Sequence, residues 1–185
     1  FEKCNFTGNT ATNVGGVKAG GKWLVTNCTF TNNYSSAGNG GVSCQTWGYG
    51  IITAESCIFS GNHADGVGAS DNGGGVDDGS TCFFKNCTFE GNRAYMMGGV
   101  ARLSTVYAVD STFNNNYIDQ NFDGGVASKG TWIATRCAFT NNRAKRNGGV
   151  SSGTTWYANN CYFTTNTATG YGGVSDGIIT WNVTN

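Results

Sequence analysis

Seven times along this 185-residue chain the phrase Phe-x-x-Asn is followed, after a loop of variable length, by Gly-Gly-Val. The Phe/Asn pairs are Phe6/Asn9, Phe30/Asn33, Phe59/Asn62, Phe89/Asn92, Phe113/Asn116, Phe139/Asn142 and Phe163/Asn166. The closing valines are Val17, Val42, Val76, Val100, Val126, Val150 and Val174, so most intervals are about 24 to 26 residues and two are stretched by insertions. Two residues before each Phe stands Cys4, Cys28, Cys57, Cys87, Cys137 or Cys161, with Ser111 as the exception. A unit this short cannot enclose its apolar side chains alone and must stack on its neighbours. The repeat therefore predicts one β-solenoid segment over residues 1–185.

Composition narrows the type of repeat. Thirty Gly, no Pro and 12% charged residues suit short strands and tight turns, because Gly tolerates positive φ without steric cost. Aromatic residues at 13% are enough to fill a core, which excludes a disordered chain. A formal net charge of zero argues against electrostatic capture of nucleic acid. No apolar run approaches the ~20 residues of a membrane helix, so no membrane insertion of this segment is expected.

With each Cys position taken as zero, alternation appears on both sides of it. Position −5 holds Trp23, Ile52, Cys82, Val106, Trp132 and Trp156, and position −3 holds Val25, Ala54, Phe84, Ala108, Ala134 and Ala158. Both sets are expected inward, because successive strand side chains point to opposite faces. Polar pairs at −2 and −1, such as Thr26-Asn27 and Lys85-Asn86, mark a bend. Cys at zero and Phe at +2 resume the inward set, giving a Phe ladder, and a third strand starts at Gly-Gly-Val. The Asn at +5 is the one polar residue present in all seven coils, and it is assigned to an inward turn as a stacked amide ladder. The fold class is all-β: a right-handed parallel β-helix of about seven coils, each with three short strands, its hand following from the crossover rule.

Segments such as Cys87-Thr88-Phe89-Glu90-Gly91-Asn92 and Gly98-Gly99-Val100 resemble the repeat of the chlamydial polymorphic outer membrane protein family, with its Phe-x-x-Asn and Gly-Gly-Ala-Ile motifs. The resemblance covers essentially the whole chain, although Val stands here where that family has Ala. It implies a surface-exposed β-helical passenger, extracellular and non-enzymatic, with adhesion to host or cell-surface ligands as a related use.

Other chemistry is weighed against this frame. Eight cysteines fit an extracellular chain. Ladder neighbours Cys4–Cys28, Cys57–Cys87 and Cys137–Cys161 are either disulfides or a ladder of buried thiols, and Cys44 with Cys82 forms a further candidate bridge. The acidic group Asp65, Asp71, Asp77 and Asp78, with His63 or Arg102 nearby, is the one candidate acid/base set for a carbohydrate-active β-helix enzyme, a lyase or hydrolase. The same carboxylates could ligate Ca²⁺, with a solvated loop as the default. Outward threonines such as Thr29 and Thr31 resemble an ice-binding array but are explained by β-propensity. Sequons occur at Asn5, Asn27, Asn33, Asn86 and Asn182, and Asn27 and Asn86 share one exposed bend, making them the expected N-glycosylation sites. No cofactor and no metal is assigned.

Neither Phe1 nor Asn185 is flanked by a polar cap, so the segment is expected to continue in a longer rod or to associate end to end with copies of itself. The functional expectation is an extracellular structural rod, filament or surface stalk, with the carbohydrate-active enzyme as the alternative.

Overall fold

A computed structural model describes residues 1–13, 15, 17–18, 21–37, 42–43, 50–65, 77–78, 81–95, 98–120, 124–176 and 180–184, without the side chains of 42–43, 77–78, 154, 176 and 180–184. Cys44 and Asp71 lie outside the described residues. Every regular element described is a strand, and every strand pairing is parallel. Each strand pairs with its equivalent one repeat away, which makes the chain a parallel β-solenoid.

The strands that carry the ladder Phe run Asn5–Thr7, Thr29–Thr31, Ile58–Ser60, Thr88–Glu90, Thr112–Asn114, Ala138–Thr140 and Tyr162–Thr164, and form one seven-stranded sheet in chain order. Register is strict, with Phe6 opposite Phe30, Phe30 opposite Phe59 and Phe59 opposite Phe89. The strands before the bend, such as Lys22–Thr26, Ile51–Glu55 and Thr81–Lys85, build a second face, and positions −5 and −3 point inward from it. The Gly-Gly-Val segments feed this face. In Ala127–Thr135 and Ser151–Asn159 the two stretches fuse into single strands of 9 residues.

The three strands expected per coil become four stretches. The added stretch is two residues long, as in Tyr34–Ser35, His63–Ala64, Arg93–Ala94 and Tyr117–Ile118, and forms a second seven-stranded sheet. It follows the +5 Asn directly, and no apolar run announces it. Its inward residue is small in most coils, for example Ala64, Ala94 and Ala144, so the interior narrows on that side.

Two corners per coil explain how so short a chain turns. The residue at −1 has positive φ in all seven coils: Lys3, Asn27, Ser56, Asn86, Asp110, Arg136 and Asn160. So does the residue at +4, which is Gly8, Asn32, Gly61, Gly91, Asn115, Asn141 or Thr165. Left-handed residues thus bracket the Phe strand on both sides. Gly and Asn dominate the second corner because they reach this region at least cost. In Gly-Gly-Val the two glycines have different reasons. Gly124 has φ 80°, whereas a Cβ on Gly125 would stand 2.1 Å from the carbonyl oxygen of Gly149 in the next coil.

The core is one continuous column of stacked like residues. Phe59, Phe89, Phe113 and Phe139 are fully buried, with neighbouring ring centroids 4.7–4.8 Å apart and nearly parallel planes. Trp132 stacks on Trp156 at 5.2 Å and meets Phe113 edge-on. Offset stacking at this separation adds to the burial of each ring. Phe89→Ala should therefore cost about 3–5 kcal/mol in a denaturant melt, through lost transfer energy and the cavity left behind. Phe83→Ala, on the outer face where the ring is 40% exposed, should cost markedly less. Equal losses would contradict the assignment of inside and outside.

Candidate functional site

The +5 asparagines lie in one vertical line just inside the second corner, and Asn33, Asn62, Asn92, Asn116 and Asn142 are fully buried. Asn62 shows the pattern. Its Nδ2 donates to the Phe30 carbonyl at 2.9 Å and to Asn92 Oδ1 at 3.0 Å. Its Oδ1 accepts from the backbone N and Nδ2 of Asn33 at 3.2 and 3.0 Å. Both amide hydrogens and both acceptor places are thus used, which is full satisfaction for this side chain. The same bonds run from Asn9 to Asn33 and onward through Asn92, Asn116 and Asn142 to Asn166. Asn33, at a sequon, is consumed by this ladder, whereas Asn27 and Asn86 stand exposed at the first corner with φ 53° and 52°.

The cysteine ladder is a ladder of thiols. Cys4, Cys28, Cys57, Cys87, Cys137 and Cys161 form no disulfide in this structure, which takes the thiol alternative over bridges Cys4–Cys28, Cys57–Cys87 and Cys137–Cys161. The reason is geometric. In-register parallel neighbours keep their Cα–Cβ directions parallel at about one strand spacing of ~4.8 Å, wider than the ~3.8 Å between Cβ atoms typical of a bridge. Each thiol instead donates to the carbonyl two residues back, for example Cys28 to Thr26 at 3.3 Å. Ser111 keeps this bond, its Oγ donating to Val109 at 2.9 Å and accepting from Cys87 N at 3.1 Å. Thiol-to-thiol bonding pulls Cys57 down to about 7 and Cys161 down to about 6, and with burial pushes their partners Cys87 and Cys137 up.

Outside the coil, the short +6 strands collect a polar network. His63 Nε2 meets Asp65 Oδ1 at 2.6 Å, and the Tyr34 hydroxyl donates to Asp65 Oδ2 at 3.2 Å. Partial desolvation and the Asp65 charge raise the Tyr34 phenol above its usual range. Arg93 ion-pairs with Asp119 and approaches Asp65 at 3.8 Å. His63, Asp65 and Asp119 thus bring three ligand atoms within 4.8 Å of one another, but the Arg93 guanidinium already supplies the positive charge there. Of the acidic group named from sequence, Asp65 is the member that joins this network among the described side chains. Asp77 and Asp78 lie on a strand of the other face, opposite Ala101 and Arg102. Arg102 is buried. Sequence reading missed Tyr34, Arg93 and Asp119, whose common signal is position +6 or +8 of successive coils.

A second charged edge follows the first corner. Arg136 donates to both Asp110 oxygens at 2.6 and 2.8 Å and holds that carboxyl below the usual carboxylate range, and Lys85 donates to Glu55 at 2.8 Å. These exposed pairs orient side chains more than they stabilise the fold.

A family model for right-handed β-helix regions matches residues 1–182, and the chain belongs to that family. This also fixes the hand of the coil. No curated protein and no solved structure matches the chain.

The ladder makes a direct prediction. Asn92→Leu removes the Nδ2 bonds to the Phe59 carbonyl and Asn116 Oδ1 and takes away the acceptor of the Asn62 backbone N–H and of one Asn62 Nδ2 hydrogen, at about 1–3 kcal/mol per buried group left unpaired. Thr88→Ala, on the outward side of the same coil, should change the melt little. Similar small losses for both would place the +5 side chain outside the load of the fold.

Proposed function

We propose that this chain is a segment of an extracellular structural rod, a filament or surface stalk that displays a ligand-binding exterior. The observation that carries the reading is translational repetition: the Asn ladder and the Phe stack run through all seven repeats with the same partners at every step. Each rung presents the same donors, acceptors and ring faces above and below. Continuation of the chain, or a second copy stacked end to end, could use those groups, and such heterologous contacts build open filaments.

The family holds both structural and catalytic members in principle, since fold alone does not assign chemistry. The resemblance to the polymorphic outer membrane protein repeat supports surface display and adhesion. The exposed sequon positions Asn27 and Asn86 suit an extracellular chain whose source glycosylates. The enzyme alternative now rests on His63, Asp65 and Asp119 rather than on Asp77 and Asp78, and there Arg93 ties up both carboxylates. That arrangement favours a fixed surface over a free acid/base pair.

Imaging of the native material, combined with fibre diffraction, tests the rod. The expected outcome is elongated particles with an axial spacing of ~4.8 Å per coil. Discrete compact particles that release oligosaccharides from a polysaccharide, with release abolished by Asp65→Asn, would replace the rod with the enzyme.

A further inference from the structure

Arginines on the outer faces of this rod do not share one fate. Arg93 is paired with Asp119, and Arg136 is held by both oxygens of Asp110. Arg143 is exposed on the same column as Arg93, and its side chain has no carboxylate or hydrogen-bond partner among the described residues. It lies over the ring of Tyr117, with its guanidinium carbon 5.4 Å from the ring centroid. The rung pairing sets this geometry, because Arg143 is in register with Tyr117 on one side and Thr167 on the other.

Around that guanidinium the surface is concave. Asn115, Tyr117, Asn141, Arg143, Thr165 and Thr167 bound a cleft of about 370 Å³, at the small end of ligand-sized sites. Asn115, Asn141 and Thr165 are the +4 corner residues of three successive coils, so their side chains repeat at the rung spacing. The Asn141 amide is engaged on both sides, its Nδ2 donating to Asn114 Oδ1 at 3.2 Å and its Oδ1 accepting from Thr165, while Asn115 and Thr167 have no side-chain partner among the described residues. Tyr117 covers one face of the guanidinium and leaves its N–H edge free, the edge that matches a carboxylate with two parallel bonds. No aliphatic side chain bounds the cleft, which disfavours a peptide anchored by apolar residues. Amides and hydroxyls around one cation suit a ligand that carries one carboxylate and several hydroxyls.

We propose that the Tyr117–Arg143 cleft binds an acidic sugar, its carboxylate on Arg143 and its hydroxyls on the unpartnered Asn115 and Thr167. The site does not depend on the rod reading, since it is complete within three coils of one chain. It gives the exterior a ligand class.

Titration calorimetry on the 1–185 chain tests it with three probes: a glucuronate-bearing oligosaccharide, its neutral glucose analogue of equal length, and inorganic sulfate. Saturable binding of the glucuronate probe alone is expected. Arg143→Gln should weaken it about 10- to 100-fold, the loss of one charge-assisted contact. Arg136→Gln, whose guanidinium is already taken by Asp110, should leave it unchanged. Circular dichroism of both variants checks that the strands persist. Failure of the glucuronate probe to bind, equal binding of the neutral analogue, or unchanged affinity in a folded Arg143→Gln protein would overturn the proposal. Sulfate binding as tightly as the sugar would reduce the site to a simple anion contact and overturn it as well.

Discussion

One amide side chain per coil, the +5 asparagine, ties each coil to the next and the one before. Asn62 donates down to the Phe30 carbonyl and up to Asn92 Oδ1, while it accepts from Asn33. The second corner turns away from the Phe strand at this point, and its backbone N–H would otherwise be buried without a ladder partner. Unpaired groups of that kind are costly, so the corner can sit inside the rod only because the amide answers it. Once corners are fixed at identical places, everything between them falls into register. Phe rings then stack at 4.7–5.0 Å because the strand spacing puts them there.

This logic explains what could be read from the sequence and what could not. The inward residues repeat at fixed distances from Cys, so the −5, −3, zero and +2 positions identify the core by alternation alone. The bend at −1 was visible as a polar pair, but its left-handed backbone was not, because Lys3, Ser56, Asp110 and Arg136 are not turn-forming glycines. The two-residue strands at +6 and +7 were invisible for another reason. They contribute a single small inward residue, and it is backbone bonds to the neighbouring coil, such as His63 N to the Asn33 carbonyl at 2.9 Å, that make them strands. The carboxylate group read from the third repeat split, since Asp65 belongs to the face after the asparagine and Asp77 and Asp78 to the face after Gly-Gly-Val. Linear proximity is a poor guide here, because neighbours in space are one coil apart in sequence.

Division of labour between inside and outside follows. The interior allows few substitutions: Ser111 for Cys keeps the same carbonyl bond, and Gly125 has no room for a Cβ. The exterior is less tightly constrained, with local stacks such as Phe83 on Tyr107 at 4.9 Å, and there the coils differ. Tyr34, His63, Arg93, Tyr117 and Arg143 occupy one column, and Leu24, Phe83, Tyr107 and Tyr157 stand exposed on another face. A rod of this kind holds variable surface chemistry at a constant pitch, which suits display and recognition.

Hydrogen exchange of the asparagine side-chain amides, followed by NMR, measures the ladder itself. If each Nδ2 group is shared between a buried carbonyl and the next amide oxygen, the Nδ2 protons of Asn62, Asn92 and Asn116 should exchange far more slowly than those of exposed Asn27 and Asn86. They should also show cross-relaxation from one ladder asparagine to the next. Exchange at the rate of the exposed amides, with no contact between successive ladder residues, would contradict the account.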